Sequence, residues 1–283
     1  MTGNLKLPSP TWFVGCGNMG GAILGGWRLG GLDLSAITVI RPSGKLVEGT
    51  RTVTNAAEAG PPPRFAVLAF KPQKLDEISA ELRRFLGGHT VIVSLLAGVE
   101  AASLRQRFPG VGAIVRATPN LPVAIRRGVT GLFSEDVNDA GREELGALFS
   151  ALGFAMWMVD EGKLAALGSV AGAGPAYVAR FIAALTKAGV KRGLSEEIAA
   201  VIARETVLGT AWMAATTGED MESIARRVAS PKGTTEAGLA VLDGEHVLDD
   251  LIAATINAAF SRGAELAEQA RASGSLAESE RLA

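Results

Sequence analysis

Two stretches of this chain place residue types at spacings that can do chemistry. In VGCGNMGGAI (14–23), Gly15, Gly17 and Gly20 fall in a G-x-G-x-x-G spacing, directly after an apolar run and directly before an amphipathic one. The first glycine permits a tight turn, the second lets a pyrophosphate approach the backbone, and the third seats the helix on the strand. The helix start then offers unpaired N–H groups and a partial positive charge to the phosphates. Gly15, Cys16, Gly17, Asn18, Met19 and Gly20 are therefore the expected dinucleotide-binding turn. Cys16 is a small filler there and not a nucleophile, because no base lies near it in sequence. In SPKGTT (230–235), Ser230, Pro231 and Gly233 form a turn, and Thr234, Thr235 and Glu236 open a helix. That start is a second place for an anion; a serine and a threonine that merely cap one helix give the same pattern.

The kind of dinucleotide is read about twenty residues on, where an NAD binder carries an acid for the ribose hydroxyls. This chain has ITVIRPSGK (37–45), with Arg41, Ser43 and Lys45 and no acid. A guanidinium and a hydroxyl suit a 2′-phosphate, so NADP is expected, with NADPH preferred over NADH. Groups that move protons are scarce. The two histidines, His89 and His246, sit at a turn and at a helix start, and the single tyrosine, Tyr177, is followed four places on by Phe181 and not by lysine. No cysteine–histidine cluster has metal-ligand spacing. A hydride enzyme acting on an alcohol needs an acid or base at the oxygen; a chain this poor in them points to a primed substrate such as a protonated imine. Placement of such a carbon supplies roughly 7–11 kcal/mol of the barrier.

These residues need elements to position them. Up to about residue 160, strand-like runs at 11–14, 37–40, 65–70, 90–95, 112–117, 129–133 and 155–159 alternate for the most part with helical patterns at 20–29, 75–86, 101–108 and 138–152. That alternation predicts an α/β domain, a doubly wound parallel sheet, over 1–160. From 161 to 283 the strand signals stop, and helices are expected at 161–171, 175–188, 195–217, 221–229, 234–242 and 246–272, with a frayed tail at 274–283. The stretch IAAVIARETVLGTAWMAA is apolar on nearly every face, and a helix of that kind must be covered all round. A half-chain of this size has too few partners to cover it alone, so a homodimer, or a higher multiple of dimers, is expected; the alternative is a small self-contained bundle. The helical part then needs a partner, and the SPKGTT turn is expected to serve the partner's cofactor domain.

With 28 Lys and Arg against 29 Asp and Glu and a net charge of −1, the chain shows no basic stripe for nucleic acid or anionic lipid. Its apolar stretches are broken by Arg204 and Glu205 and by Pro175 and Arg180, so no membrane span is expected. One cysteine and a start without signal-peptide pattern suit the cytoplasm.

A longer series of stretches stands beside these: AFKPQ (69–73), SLLAGV (94–99), RATPNLPVAIRRGVT (116–130), AGAGPAYV (171–178) and VASPKGTTEAGL (228–239). Together with the glycine turn, and in this order through almost the whole chain, they resemble pyrroline-5-carboxylate reductase. The resemblance implies a Rossmann-type domain, a helical dimerisation domain, and NAD(P)H-dependent reduction of 1-pyrroline-5-carboxylate to L-proline. It places Ala69, Lys71 and Pro72 along the cofactor, Asn55 at the adenosine part, Ala97 and Gly98 beside the nicotinamide, and Asn120 in the same cleft. It gives the substrate carboxylate to Ser230 and to the amides around Gly233, Thr234 and Thr235, and makes Thr235 the catalytic threonine that meets the ring nitrogen. The chain departs from the family pattern at Ala171 and Ala173, where serines are usual, at Lys232, where glycine is usual, and at Arg226 and Arg227, where an acid is frequent. A related imine or β-hydroxyacid reductase on the same scaffold, and an NADP-sensing protein without turnover, are the alternative readings.

Overall fold

The computed structural model describes residues 5–282, and side chains as far as Ala272; the tail expected to fray lies outside the residues whose side chains are described. Short apolar runs become strands β1 (Thr11–Val14), β2 (Ile37–Ile40), β3 (Arg51–Val53), β4 (Phe65–Leu68), β5 (Val91–Ser94), β6 (Ala113–Pro119), β7 (Gly128–Phe133) and β8 (Gly153–Trp157). The helices among them are α1 (Asn18–Leu29), α2 (Leu75–Leu82), α3 (Ala101–Arg107) and α4 (Asp139–Ser150). They build one eight-stranded sheet in the order β3-β2-β1-β4-β5-β6-β7-β8.

Alternate strand residues feed two cores, one on each face of the sheet. Phe13, Val39, Val67, Val93 and Val115 pack with Ile23 and Trp27 of α1 on one face. Trp12, Val14, Ile40, Leu68, Ile92 and Ile114 pack with Leu104 of α3 on the other. Strands covered on both sides carry no polar face, which is why they read as continuous apolar runs.

Two features differ from the sequence expectation. Strand β3 was not anticipated: three residues with one buried position carry no period. The sheet is not wholly parallel, since β7 runs antiparallel to β6 while β8 is parallel to β7. The link between β6 and β7 holds only a short 3₁₀ segment, Leu121–Ile125, closed by Arg126 in the left-handed region (φ 60). A parallel return needs a crossover of a dozen or more residues, so so short a link forces reversal.

Beyond β8 follow α5 (Glu161–Leu167), a π-helical turn (Gly168–Gly172), α6 (Gly174–Lys191), α7 (Glu196–Thr217), α8 (Met221–Val228), α9 (Thr234–Asp243) and α10 (Val247–Leu282). Composition changes at 160, but the compact units are 1–173 with 259–283, and 174–258. Helix α5 stays with the sheet because Gly131 lets it close in: a Cβ there would lie 2.8 Å from Leu164 Cδ1. In the second unit Ser195 caps α7 by accepting from the Ile198 N–H, and Gly218 ends it in the left-handed region (φ 73). Gly189 brings α6 onto Ala199 of α7. Among the described residues of α7, only Ala199 and Ala203 are buried, while Ile198, Ile202 and Leu208 stay exposed in the single chain.

Candidate functional site

Strand order reverses at β1, whose neighbours are β2 on one side and β4 on the other. Open α/β sheets hold ligands outside the carboxyl ends of the strands at such a point. Gly15 follows β1 there with φ +79, and a Cβ on it would lie 2.7 Å from the Ala69 carbonyl oxygen beyond β4. Gly20 is packed between Ala69 and Phe13, with Cβ distances of 3.2 and 3.5 Å. Gly17 is different: nothing lies within 4 Å of its Cβ position, so no protein contact requires glycine there. It is the N-cap of α1, makes no side-chain cap, and is followed by no acid in the first turn. The first N–H groups of α1 are thus left without the side-chain oxygen, carboxamide, carboxylate or hydroxyl, that caps α4, α5, α7 and α8. Exposed Asn18 and half-buried Met19 open that helix. An open cradle of backbone over Gly17, beside an uncapped helix start, fits a dinucleotide pyrophosphate.

Burial pushes the Cys16 thiol above its ordinary range, and the charge of Arg41 partly offsets the effect. The neutral thiol is therefore favoured, which suits a filler and not a nucleophile. Arg41 lies beside the glycine turn, whose Gly15 N–H bonds the carbonyl of the preceding Ile40 (2.8 Å). Arg41 directly follows β2, with its N–H on the Val53 carbonyl (2.9 Å), and makes no ion pair among the described residues. Ser43 accepts the Lys45 N–H at 3.4 Å. Asn55 caps the short helix Ala56–Glu58: its Oδ1 accepts the Glu58 N–H (3.2 Å) and its Nδ2 donates to the Glu58 carboxylate (2.8 Å). The Thr54 N–H, which donates to Glu58 Oε2 (3.1 Å), and after it Asn55 Nδ2 hold the Glu58 carboxyl below its usual range.

Toward the other end of the sheet, Ala69 follows β4 with its N–H on the Val14 carbonyl, Lys71 is exposed, and Pro72 opens a 3₁₀ turn at the position where its missing N–H costs nothing. Ala97 is exposed in the loop after β5. Gly98 there has φ +75, and a Cβ on it would lie 2.7 Å from Leu266 Cβ. Asn120 is buried; its Oδ1 accepts the Val129 N–H (2.8 Å) and its Nδ2 donates to the Ala171 carbonyl in the π-turn (3.0 Å). Both ends of this side chain are tied to backbone, and Ala171 enters through its carbonyl, with no need of a side-chain hydroxyl.

The 230–235 turn belongs to the second unit. The Gly233 N–H is spent on the Ser230 carbonyl (2.9 Å), and a Cβ on Gly233 would lie 2.3 Å from Ser230 Oγ. Lys232 is left-handed (φ 59) and its N–H donates to Glu236 Oε2 at 2.6 Å. The amides of Thr234 and Thr235, first residues of α9, and both threonine hydroxyls make no hydrogen bond to protein among the described residues. The positive charge of α8 is largely matched: Arg226 pairs with Glu222 (3.5 Å) and Arg227 with Glu219 (2.8 Å).

Sequence reasoning missed what α10 does. Its later turns pack on the sheet unit, where Leu266 meets Gly98, Arg271 pairs with Glu100 (2.7 Å), and Arg107 and Ser103 both donate to the Ala270 carbonyl. Gly98 was the one local signal, and a glycine alone does not name its partner. It also missed Glu161, which accepts from the Ala101 N–H at the start of α3 and from Arg116 (2.6 Å). A shallow cleft lined by Arg64, His89, Asp136 and Glu144 lies at the amino ends of β4 to β6, away from the glycine turn. Its charges are already paired, Arg64 with Glu144 and Asp136 with Arg105.

Comparison with known proteins agrees with this arrangement. Residues 161–266 match a family model described as pyrroline-5-carboxylate reductase dimerisation. A pyrroline-5-carboxylate reductase of Pseudomonas aeruginosa is 36% identical over 264 residues, covering 91% of this chain and 96% of that protein. The solved structure of a pyrroline-5-carboxylate reductase from Coxiella burnetii is similar with a TM-score of 0.83 at 30% identity, covering 92% of this chain and 99% of that one. In fold, the NADP-bound pyrroline carboxylate reductase of Plasmodium falciparum is also similar, with a TM-score of 0.82 at 23% identity over 93% of this chain and 98% of that one. A glycine turn at the strand-order reversal, an apolar helical unit and a likeness that spans nearly both chains end to end lead to one conclusion: the chain belongs to the pyrroline-5-carboxylate reductase family.

Proposed function

We propose that this protein reduces 1-pyrroline-5-carboxylate to L-proline, with NADPH preferred over NADH, as a cytoplasmic homodimer or multiple of dimers. The observation that carries the reading is the open glycine cradle over Gly17 at the reversal of strand order, in a chain of this family. The bound cofactor supplies a hydride to the C=N carbon. The chain's own residues bind and orient. Gly15 to Gly20 and the start of α1 take the pyrophosphate. Arg41 and Ser43 take the 2′-phosphate, which is the source of the NADPH preference, and Asn55 borders the adenosine. Ala69, Lys71, Pro72, Ala97 and Gly98 line the nicotinamide side, with Asn120 at the end of β6. Ser230 and the free amides of Thr234 and Thr235 grip the carboxylate, each charge-assisted bond contributing about 1.5–3 kcal/mol. In this role Gly233 keeps the Ser230 hydroxyl clear, since a Cβ there would lie 2.3 Å from its oxygen. The Thr235 hydroxyl orients the ring nitrogen, where the proton resides as the hydride arrives. Restraining both the acid group and the ring leaves little for acid–base catalysis to do, which accords with the scarcity of histidine and tyrosine.

Among the described residues one helix, α7, is long and apolar enough to cross a membrane by length and composition, with 11% of its apolar window buried within the chain. The dimerisation match covers that helix entirely, so a second subunit accounts for its apolar surface without a membrane.

Loss of NADPH absorbance in the presence of pyrroline-5-carboxylate tests the reading directly. Turnover is expected, with kcat/KM higher for NADPH than for NADH. Cofactor binding with no turnover on this or related imino acids would turn the protein into a sensor. Mixing a Gly17 variant with a Thr235 variant reads whether the turn of one subunit serves the cofactor of the other: partial recovery of activity is expected in verified mixed dimers.

A further inference from the structure

The 230–235 turn contains a conformation that lysine does not favour. Lys232 sits in the left-handed region, φ 59, where an L side chain crowds its own carbonyl. Something must hold it there. Its N–H donates to Glu236 Oε2 at 2.6 Å, a short bond to an ionised acceptor. Glu236 is the acid of the first turn of α9, so it reaches back across the helix start to the residue before the N-cap. The Gly233 N–H closes on the Ser230 carbonyl next to it. Two neighbouring amides are therefore committed inside the turn, and those of Thr234 and Thr235 are left over. A carboxylate this close to a site for an anionic substrate is a liability by charge alone. One of its oxygens is occupied by the Lys232 amide.

We infer that Glu236 is a positioning residue: its bond to the Lys232 N–H locks the turn in the shape that presents Ser230, Thr234 and Thr235 to the substrate carboxylate. The inference rests on the reading that this turn binds that carboxylate. A helix cap without this role would affect stability and leave substrate affinity alone.

The test separates the bond from the charge. E236Q keeps an acceptor oxygen and drops the charge. E236A drops both. E236D keeps the charge but is too short to reach. The three are compared in the natural background and with K232G, because glycine holds the left-handed region without help. Steady-state kinetics vary pyrroline-5-carboxylate at saturating NADPH, and thermal melting checks each fold. In the lysine background the KM for pyrroline-5-carboxylate is expected to be about tenfold higher for E236A and E236D than for E236Q, the loss of one hydrogen bond's worth of order. kcat and the KM for NADPH should stay within about twofold, the bond contributing nothing at the cofactor. In the glycine background the tenfold gap should close. A gap absent with lysine, or unchanged with glycine, overturns the inference while wild-type turnover stands. No turnover by the wild-type chain overturns the functional reading itself, and the inference with it.

Discussion

Gly15 and Gly17 stand two residues apart in one motif, yet different physics requires glycine at each. Gly15 is held by the protein: its φ is +79 and the Ala69 carbonyl lies 2.7 Å from any Cβ. Gly17 has open space around it and an extended backbone, φ −84 and ψ −159, that alanine also adopts. G15A is therefore expected to lower the melting temperature of the free protein and its NADPH binding together. G17A should leave melting nearly unchanged and raise the NADPH dissociation constant by tenfold or more, about 1.4 kcal/mol. Differential scanning fluorimetry beside NADPH fluorescence titration reads both. Cys16, between them, carries a pH prediction. Burial raises its pKa in the folded chain, with Arg41 opposing. The unfolded chain thus loses this proton first, from about pH 8.5. Stability from this group is fully present below that pH and declines as pH rises above it. Urea midpoints measured from pH 7 to 9.5 should fall more steeply for wild type than for C16A; parallel curves would refute the assignment. All three residues were legible in the sequence as one motif. Which glycine the fold itself requires and which it leaves open was not, because that depends on what stands opposite each Cβ.

At the scale of elements, strands and helices follow from local pattern, and the joints between them do not. The cap at Ser195 and the helix it starts are readable from GLSEE, since the hydroxyl and the N–H it accepts from lie three residues apart. The joint between α9 and α10 is not readable, and it is strained. Glu245 and His246 are both left-handed, φ 50 and 58. Each costs about 1–2 kcal/mol there, set against glycine's own entropic cost of roughly 0.5–1 kcal/mol. E245G and H246G are each expected to stabilise the chain by up to about 1.5 kcal/mol in urea unfolding, the difference of those two terms, with activity unchanged. A loss of stability would mean that these side chains make contacts worth more than the strain. Strand β3 and the reversal at β7 escaped sequence reading for related reasons. Three residues hold no period, and strand direction is set by how far a link can reach, which is a length in space.

For the whole molecule, the governing quantity is apolar surface that one chain leaves open. On α7, Ile202 is 49% and Leu208 57% exposed. Burying the remaining half of each is worth about 0.8–1.5 kcal/mol, and a buried unpaired carboxylate costs more than that gain. I202E and L208E are expected to shift sedimentation velocity from dimer toward monomer at micromolar concentration. If both variants sediment as wild type, the contact uses another face. Composition alone revealed this need: a helix apolar all round must be covered, and too little chain is available to do it. Composition placed a border at 160; by contacts, the compact units divide at 173 and again at 258. Helix α5 lies on the sheet through Gly131, and α10 returns to the sheet unit at Gly98.

What the sequence determined by itself was pattern that depends on near neighbours: the glycine turn, the uncapped helix start, the cation in place of an acid after β2, the alternation that makes an open α/β sheet, and the motif series of the family. These are set by residues within a few turns of one another, whose geometry is nearly independent of the rest. Only the tertiary structure decided which glycines are needed for close approach, that Asn120 ties β7 to the π-turn, that Gly98 answers to Leu266, and that Glu236 holds a left-handed lysine. Each of those depends on which atoms meet across space or on a backbone angle, and neither is written in the order of the residues.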